Sequence, residues 1–344
     1  MPMETSDGLS SVLVVGGCGF LGHHIVTILG IRTDHHRVDG AYYVTGSITS
    51  YNDAMRALNA AKPKVIFHTV SAPPLGDTKL FPEVNIEGTR NLLKCAQEYG
   101  IAKALVYTSS SSVIHDNRSD LVSAKEDMPL IYFPRQPEIY SHTKAIAEKM
   151  VLDANKVSAI STCAIRPSGI FGENDRTLTG NLITSAKEGK ANIQIGDNSK
   201  LFDFTYVENT AHAHLLAARG LLRTQIVPVE KELKVDGEAF VITNDDPWPF
   251  WNFSRALVGA AGYPVKKEKI RVIPVRVMWV IVVVIEYLYW VLTFEIFDIT
   301  KAKMRLGYSP LVSMKEGIQR TGLWYKKICK EERDSNGGPF RKIA

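Results

Sequence analysis

Tyr140-Ser141-His142-Thr143-Lys144 places a phenol and an ammonium four residues apart. On a helix that spacing puts both on one face. The ammonium can lower the pKa of the phenol and hold a ribose hydroxyl, and the phenolate can take a proton from an alcohol. The same spacing occurs three times, at Tyr99 and Lys103, Tyr140 and Lys144, and Tyr263 and Lys267. Gly100 and Pro264 interrupt the first and third, so only Tyr140 and Lys144 fall within a clean helical pattern. They also follow a serine cluster, Thr108-Ser109-Ser110-Ser111-Ser112. A serine hydroxyl there can hydrogen-bond a substrate oxygen beside the tyrosine. A second constellation is Gly16-Gly17-Cys18-Gly19-Phe20-Leu21-Gly22. Gly16, Gly19 and Gly22 permit a tight turn and close backbone approach to a pyrophosphate, while the following helix offers free N–H groups to it.

These groups need elements to hold them. The glycine turn follows an apolar run at 11–15 (SVLVV), which reads as a first strand. Further strands are expected at 65–70 (VIFHTV), 104–109 (ALVYTS) and 161–166 (STCAIR). Between them lie helical patterns at 85–99, with Leu92, Leu93 and Ala96 on one face, and at about 138–155, with Ala145, Ile146, Met150 and Val151. Short apolar strands alternating with helices predict an α/β fold: a Rossmann-type, doubly wound parallel sheet covered on both faces. The serine cluster ends a strand, the edge where such sheets bind ligands. Residues 8–170 are expected to form the nucleotide-binding domain. From about Phe171 the alternation weakens, which predicts a smaller, partly interleaved substrate region over 171–330 and a solvated, disordered tail over 331–344.

Composition narrows the classes. The chain has 344 residues, 45% apolar and 22% charged, which excludes wholesale disorder. A net charge of +5 is too small and too dispersed to argue for nucleic acid. Cys18, Cys95, Cys163 and Cys329 form no CxxC pair. No disulfide scaffold or metal site is expected, and reduced thiols facing the cytosol are the default. The first eleven residues carry no apolar core, so no cleaved secretory signal is expected.

In this order, GGCGFLG, the serine cluster and YSHTK resemble the extended short-chain dehydrogenase/reductases. NIEGTRN at 85–91, RPSGIFG at 166–172 and KAKMRLGYSP at 301–310 are similar to that group's NxxGTxN, RPxxxxG and KAxxxLGYxP elements. VLVVGGCGFLGHHIV, VIFHTVSAPP and LVYTSSSSVIHD narrow the resemblance to the 3β-hydroxysteroid dehydrogenases, and within them to the decarboxylating sterol-4α-carboxylate 3-dehydrogenases of ergosterol synthesis. The resemblance runs from about Ser11 to about Lys327. It implies Ser110, Tyr140 and Lys144 as the catalytic set. It implies a cofactor site of Gly16, Gly19, Phe20, Leu21, Gly22, Ser47, Ile48, Asn85, Tyr140, Lys144 and Pro167, with NAD as cofactor. The implied reaction oxidises a sterol 3β-alcohol: Tyr140 takes the hydroxyl proton and C3 delivers hydride. The resulting 3-ketone lies β to the C4 carboxylate, which leaves as carbon dioxide while the ketone accepts the electrons as an enolate. A homodimer through the Tyr140 and Asn85 helices and partners among the other sterol C4-demethylation enzymes are further implications. Two alternatives stay open: a catalytically impaired sterol-binding or scaffold protein, and a reductase or epimerase of the same fold.

The chain departs from that family in two places. The resemblance implies a second strand after the first helix, ending in an acid that binds the adenosine ribose. Here the helix pattern ends near Leu29, and Gly30-Ile31-Arg32-Thr33 follows directly. Roughly fifteen residues, a strand with its turns, are missing, and Gly30 stands where the acid is expected. Ser47 replaces an Asp that contacts adenine. Without the second strand, an expected strand near 41–44 must pair with 11–15 or leave that edge open. Arg32, His35, His36 and Arg37 either attract a 2′-phosphate, which keeps NADP beside NAD, or form a solvated basic loop.

From 277 to 294 only Glu286 and Thr293 interrupt an apolar run (VMWVIVVVIEYLYWVLTF). It is at the lower limit for a bilayer span, and Glu286 sits near its centre. The expectation is a helix lying in the cytosolic leaflet of the endoplasmic reticulum, with Trp279, Tyr287, Tyr289 and Trp290 at the interface. Lys266, Lys267, Lys269 and Arg271 just before it would meet anionic lipid headgroups. A buried helix of the substrate region is the alternative.

Overall fold

A computed structural model describes residue 9 and residues 11–28, 33–34, 37–38, 40–72, 77–157, 159–274 and 293–334. Five parallel strands form the central sheet, in the spatial order Val12–Val15, Val65–His68, Ala104–Thr108, Ser161–Pro167 and Ala239–Ile242. The middle strands are buried along their whole length, and Val65–His68 and Ala104–Thr108 accordingly read as largely apolar runs.

Alternate residues of each strand feed two separate cores. Val65, Phe67, Val106, Cys163 and Ile165 face one side. There they meet Leu21 and Ile25 of the helix Phe20–Ile28 and Ala211, Ala218 and Leu221 of the helix Val207–Thr224. Ile66, Leu105, Tyr107 and Ala164 face the other. They meet the helices Tyr51–Ala61, Gly88–Tyr99 and Ile139–Asp153 through Leu58, Leu92, Ala96, Ala147 and Val151. The period of two along the strands thus builds both faces of the predicted fold.

Chain order and spatial order of these five strands coincide. The first strand is therefore an edge of the sheet, and among the described residues no strand pairs with its outer side. The strand expected near 41–44 does not form; residues 41–47 are irregular. Only a two-residue ladder, Thr33–Asp34 with Arg37–Val38, lies in this connection. Of the two outcomes posed by the shortened sequence, the open edge is the one observed.

Other boundaries move slightly. The helix containing Asn85 starts earlier, as a wide turn at Phe81–Glu87 that continues into Gly88–Tyr99. Gly100 ends it with φ +73°, the left-handed cap that excludes Tyr99 and Lys103 from a common helical face. Residues beyond 171 return to the central sheet through Val207–Thr224 and Ala239–Ile242. The remainder forms small sheets, including Trp248–Pro249, Leu201–Phe202, Glu295–Phe297 and Leu121–Ala124 side by side. The last helix, Met314–Asp334, extends into the stretch expected to be a disordered tail. Residues 335–344 and the apolar run, apart from Thr293 and Phe294, lie outside the described residues, as do Arg32, His35 and His36. Among the described residues no helix is long and apolar enough to cross a membrane.

Candidate active site

The glycine turn is built as its spacing predicts. Gly16 has φ +92°, and a Cβ there would sit 2.8 Å from Thr69 Oγ1. Thr69 is fixed in turn by donating its hydroxyl to the Val15 carbonyl at 2.9 Å. A Cβ on Gly22 would lie 2.2 Å from the Gly16 carbonyl oxygen, so this glycine lets the helix close on the strand. Gly19 N–H donates to Gly16 O at 2.8 Å, and Gly19 itself faces solvent. Phe20 and Leu21 open the helix, with Leu21 in the core. The result is a backbone cradle open on one side, which fits a pyrophosphate.

Across the sheet edge, Ala104–Thr108 ends in the serine cluster. Ser110 caps the short helix Ser111–Ile114, its Oγ accepting from Ser112 N–H at 3.2 Å. Ser141 on the Tyr140 helix donates to Glu138 Oε2 at 2.7 Å and lies 2.9 Å from Ser112 Oγ, so the cluster and the helix are joined. The Tyr140 ring packs edge-on against Phe81, centroids 6.1 Å apart. Burial pushes its phenol up to about 12, with Glu138 adding to the rise and a hydrogen bond with Ser110 opposing it.

Lys144 is fully buried one helical turn away. Its Nζ donates to the Thr108 carbonyl and sits 4.4 Å from the centroid of the Tyr107 ring. Desolvation pushes it down to about 7, against the opposing pull of Glu148. The expected lowering of the phenol by Lys144 is absent from this arrangement. A buried ammonium needs an acceptor, and the strand-end carbonyl provides one.

Asn85 is 1% exposed and holds three elements together. Its Oδ1 accepts from Ala72 N–H at 3.0 Å and from the Ser71 hydroxyl at 3.2 Å, and its Nδ2 donates to Thr143 Oγ1 at 3.0 Å. It therefore ties the loop after the second strand to the Tyr140 helix. Ile48 packs where Gly88 has no side chain, a Cβ there lying 2.7 Å from Ile48 Cγ2. Ser47 is exposed and hydrogen-bonded within its own turn, to Thr49 and Asp53. Pro167 ends the fourth strand, paired with Ile242.

Several supporting contacts gave no local signal in the sequence, although Arg166 itself opens the RPSGIFG element. Arg166 reaches Glu148 with two nitrogens, at 3.0 Å to Oε2 and 2.6 Å to Oε1. His214 donates Nδ1–H to the Thr210 carbonyl at 2.8 Å, so Nε2 accepts from Thr108 Oγ1 at 2.7 Å. Burial pushes His214 down to about 4, and burial with nearby Lys144 pushes His68 down to about 3. Both rings stay neutral behind the lysine.

The cradle, Ser110, Tyr140 and Lys144 thus share the C-terminal edge of one sheet. The pyrophosphate and nicotinamide side of a dinucleotide fits them. The adenosine side has neither a second strand nor an acid at Ser47. Thermus thermophilus UDP-glucose 4-epimerase in complex with NAD shares this fold, with a TM-score of 0.69, 20% identity and coverage of 92% of this chain and 98% of that one. The decarboxylating sterol-4-alpha-carboxylate 3-dehydrogenase of Saccharomyces cerevisiae is 36% identical over 92% of this chain and 98% of its own. The mouse protein of the same name is 34% identical over 93% and 92%. The yeast alignment runs 357 positions, longer than this chain, while covering 92% of it. That relative therefore carries residues in the aligned stretch that this chain lacks. The match to the family begins at residue 30, just after the glycine-turn helix and at the shortened junction, and runs to 273. The family match and these relatives together show that the chain belongs to the 3-beta hydroxysteroid dehydrogenase/isomerase family.

Proposed function

We infer that this chain oxidises the 3β-hydroxyl of a 4α-carboxysterol to the 3-ketone with loss of the C4 carboxylate, using NAD(P), as a step of sterol biosynthesis. The observation that carries the reading is the convergence of Ser110, Tyr140 and Lys144 beside the glycine cradle. Relatives named as decarboxylating sterol-4-alpha-carboxylate 3-dehydrogenases in fungi and mammals support it.

In this reading Ser110 orients the 3β-hydroxyl and Tyr140 takes its proton. When bound, the cofactor supplies the hydride acceptor. Lys144 leaves the Thr108 carbonyl for a ribose hydroxyl and brings its charge towards the phenol. Gly16, Gly19, Phe20, Leu21 and Gly22 hold the pyrophosphate, Ile48 borders the adenine side, and Asn85 and Pro167 shape the nicotinamide end. The 3-ketone then serves as electron sink for loss of carbon dioxide, so no further catalytic group is needed for that step. Placement at the cytosolic face of the endoplasmic reticulum through 277–294, a homodimer through the Tyr140 helix, and assembly with other sterol C4-demethylation enzymes complete the proposal.

The test is turnover of a 4α-carboxysterol with NAD by purified protein, with the sterol product identified by mass spectrometry. A 3-keto product lacking the carboxylate is expected from the native chain and none from Tyr140→Phe. Equal product from both would refute the assignment of Tyr140.

A further inference from the structure

Three segments distant in sequence meet on one face of the C-terminal region. Just beyond the helix Phe250–Ala260 stands Tyr263, whose ring lies 6.4 Å from that of Tyr325 on the last helix. Gly262 beside it takes φ +106°, and a Cβ on it would stand in ordinary van der Waals contact with Lys326 Cε at 3.5 Å. The two tyrosines, Lys326, Cys329 and Lys330 line a shallow cleft of about 300 Å³. Lys187, closing the helix Leu178–Lys187, lies 5.4 Å from the centre of the Tyr325 ring. The chain leaving Tyr263 carries Lys266, Lys267 and Lys269, then Arg271, whose strand Arg271–Ile273 pairs with Ile193–Ile195.

All seven cations are exposed. Among the described residues no carboxylate pairs with Lys266, Lys267 or Lys269. Among the described side chains, Glu188 is taken by Lys190 at 2.6 Å, Glu331 lies 3.8 Å from Lys327, and Glu268 stands within the lysine run. Val272, 55% exposed, lies beside Arg271. The chain then enters the long apolar run of the sequence. A positive face continuous in sequence with an apolar run matches a surface of negative headgroups above hydrocarbon.

We propose that this face, centred on Lys266, Lys267 and Lys269 and bordered by Lys187, Arg271, Lys326 and Lys330, docks the protein on anionic phospholipid headgroups. The proposal rests on the membrane-surface placement given above and assigns the side of the molecule that meets the lipid. The apolar run alone would bind any bilayer, whereas this face adds a preference for negative charge.

The experiment is flotation of the full chain with phosphatidylcholine vesicles and with vesicles containing roughly 30% phosphatidylserine. Native protein is expected to prefer the anionic vesicles by about tenfold or more, and to lose the preference at about 0.5 M salt. Each basic residue at such a surface contributes roughly a fivefold factor. The triple variant Lys266→Glu, Lys267→Glu, Lys269→Glu is expected to lose on the order of 10²-fold in anionic-vesicle binding. It should keep its melting temperature and its binding to neutral vesicles. The triple variant Lys62→Glu, Lys64→Glu, Lys79→Glu, on the nucleotide-binding half, should retain the preference. Equal binding of native protein to both vesicles would overturn this face while leaving membrane attachment intact. No binding to either would overturn both. Displacement from anionic vesicles by a short RNA would mark a nucleic-acid surface instead and also overturn the proposal.

Discussion

Replacing Glu148 by Gln removes one charge from a buried pair and leaves its shape. Arg166 then keeps its guanidinium inside the protein, with the Glu126 carbonyl at 3.2 Å as the acceptor already in place. The Glu148 and Arg166 side chains are 0% and 4% exposed, so water cannot replace the lost carboxylate. Breaking such a pair from one side costs about 3–5 kcal/mol. With an unfolding entropy of roughly 2.1 cal/mol/K per residue, this chain should lose about 4–7 °C in melting temperature. The double variant Glu148→Leu, Arg166→Met removes both charges and should recover most of that loss, since a well-packed apolar substitute is often neutral. A functional readout accompanies the thermal one. Glu148 is the charge that holds the Lys144 ammonium up against burial. Its loss should move the alkaline edge of activity to lower pH, because Lys144 then sheds its proton earlier. Urea denaturation of the native chain, the single variant and the double variant settles the energetics. A single variant within 1 kcal/mol of native, or a double variant as unstable as the single, would refute the reasoning from uncompensated charge.

Tyr140→Phe should cost about 10²–10⁴-fold in turnover with an unchanged melting curve; an equal loss of stability would mean the phenol is structural. Asn85→Leu leaves the Ala72 N–H buried without an acceptor and should cost roughly 2–4 kcal/mol, read by denaturation, whereas a loss below 0.5 kcal/mol would contradict its role as a tie. Asp203 is pushed up to about 7, chiefly by burial. The folded state therefore holds its proton above the unfolded carboxyl's range, and native stability falls as pH rises from about 4 to about 7. Asp203→Asn should flatten that slope and gain on the order of 1–3 kcal/mol at pH 8 but little at pH 4; parallel stability profiles would count against it. With two charge-assisted contacts to adenosine missing, NAD affinity should fall on the order of 10²–10⁴-fold below a site that has them. Insertion of a relative's second strand between Gly30 and Ile31 should restore affinity. A micromolar dissociation constant for the native chain by calorimetry would overturn this.

Much of the site could be read from the sequence because its signals are local. A glycine turn after an apolar strand, and Tyr140 and Lys144 on one helical pattern, lie within a few residues of each other. The irregular stretch at 41–47 shows where locality fails. AYYV has strand composition, yet a strand forms only where a neighbour shares its hydrogen bonds, and the missing segment is that neighbour. Tyr43 instead uses its hydroxyl to accept from Val38 N–H at 2.7 Å. Arg166 and Glu148, or Thr108 and His214, lie on separate elements whose meeting depends on helices packing over the sheet. The direction of Lys144 was equally hidden: its partner is a backbone carbonyl, which carries no residue type.

The open edge at Val12–Val15 bears on what a cell can detect. Closing a connection costs an entropy that grows only with the logarithm of its length. A tether longer by roughly fifteen residues would differ from the present one by less than about 0.5 kcal/mol. The two cores on either face of the sheet contain none of the missing residues, and backbone groups on an outer edge can hydrogen-bond water. The closure entropy of the connection therefore has little say in whether the chain folds. Chaperones and proteases survey the unfolded fraction, and the difference in tether length alone would change that fraction by no more than about two- to threefold.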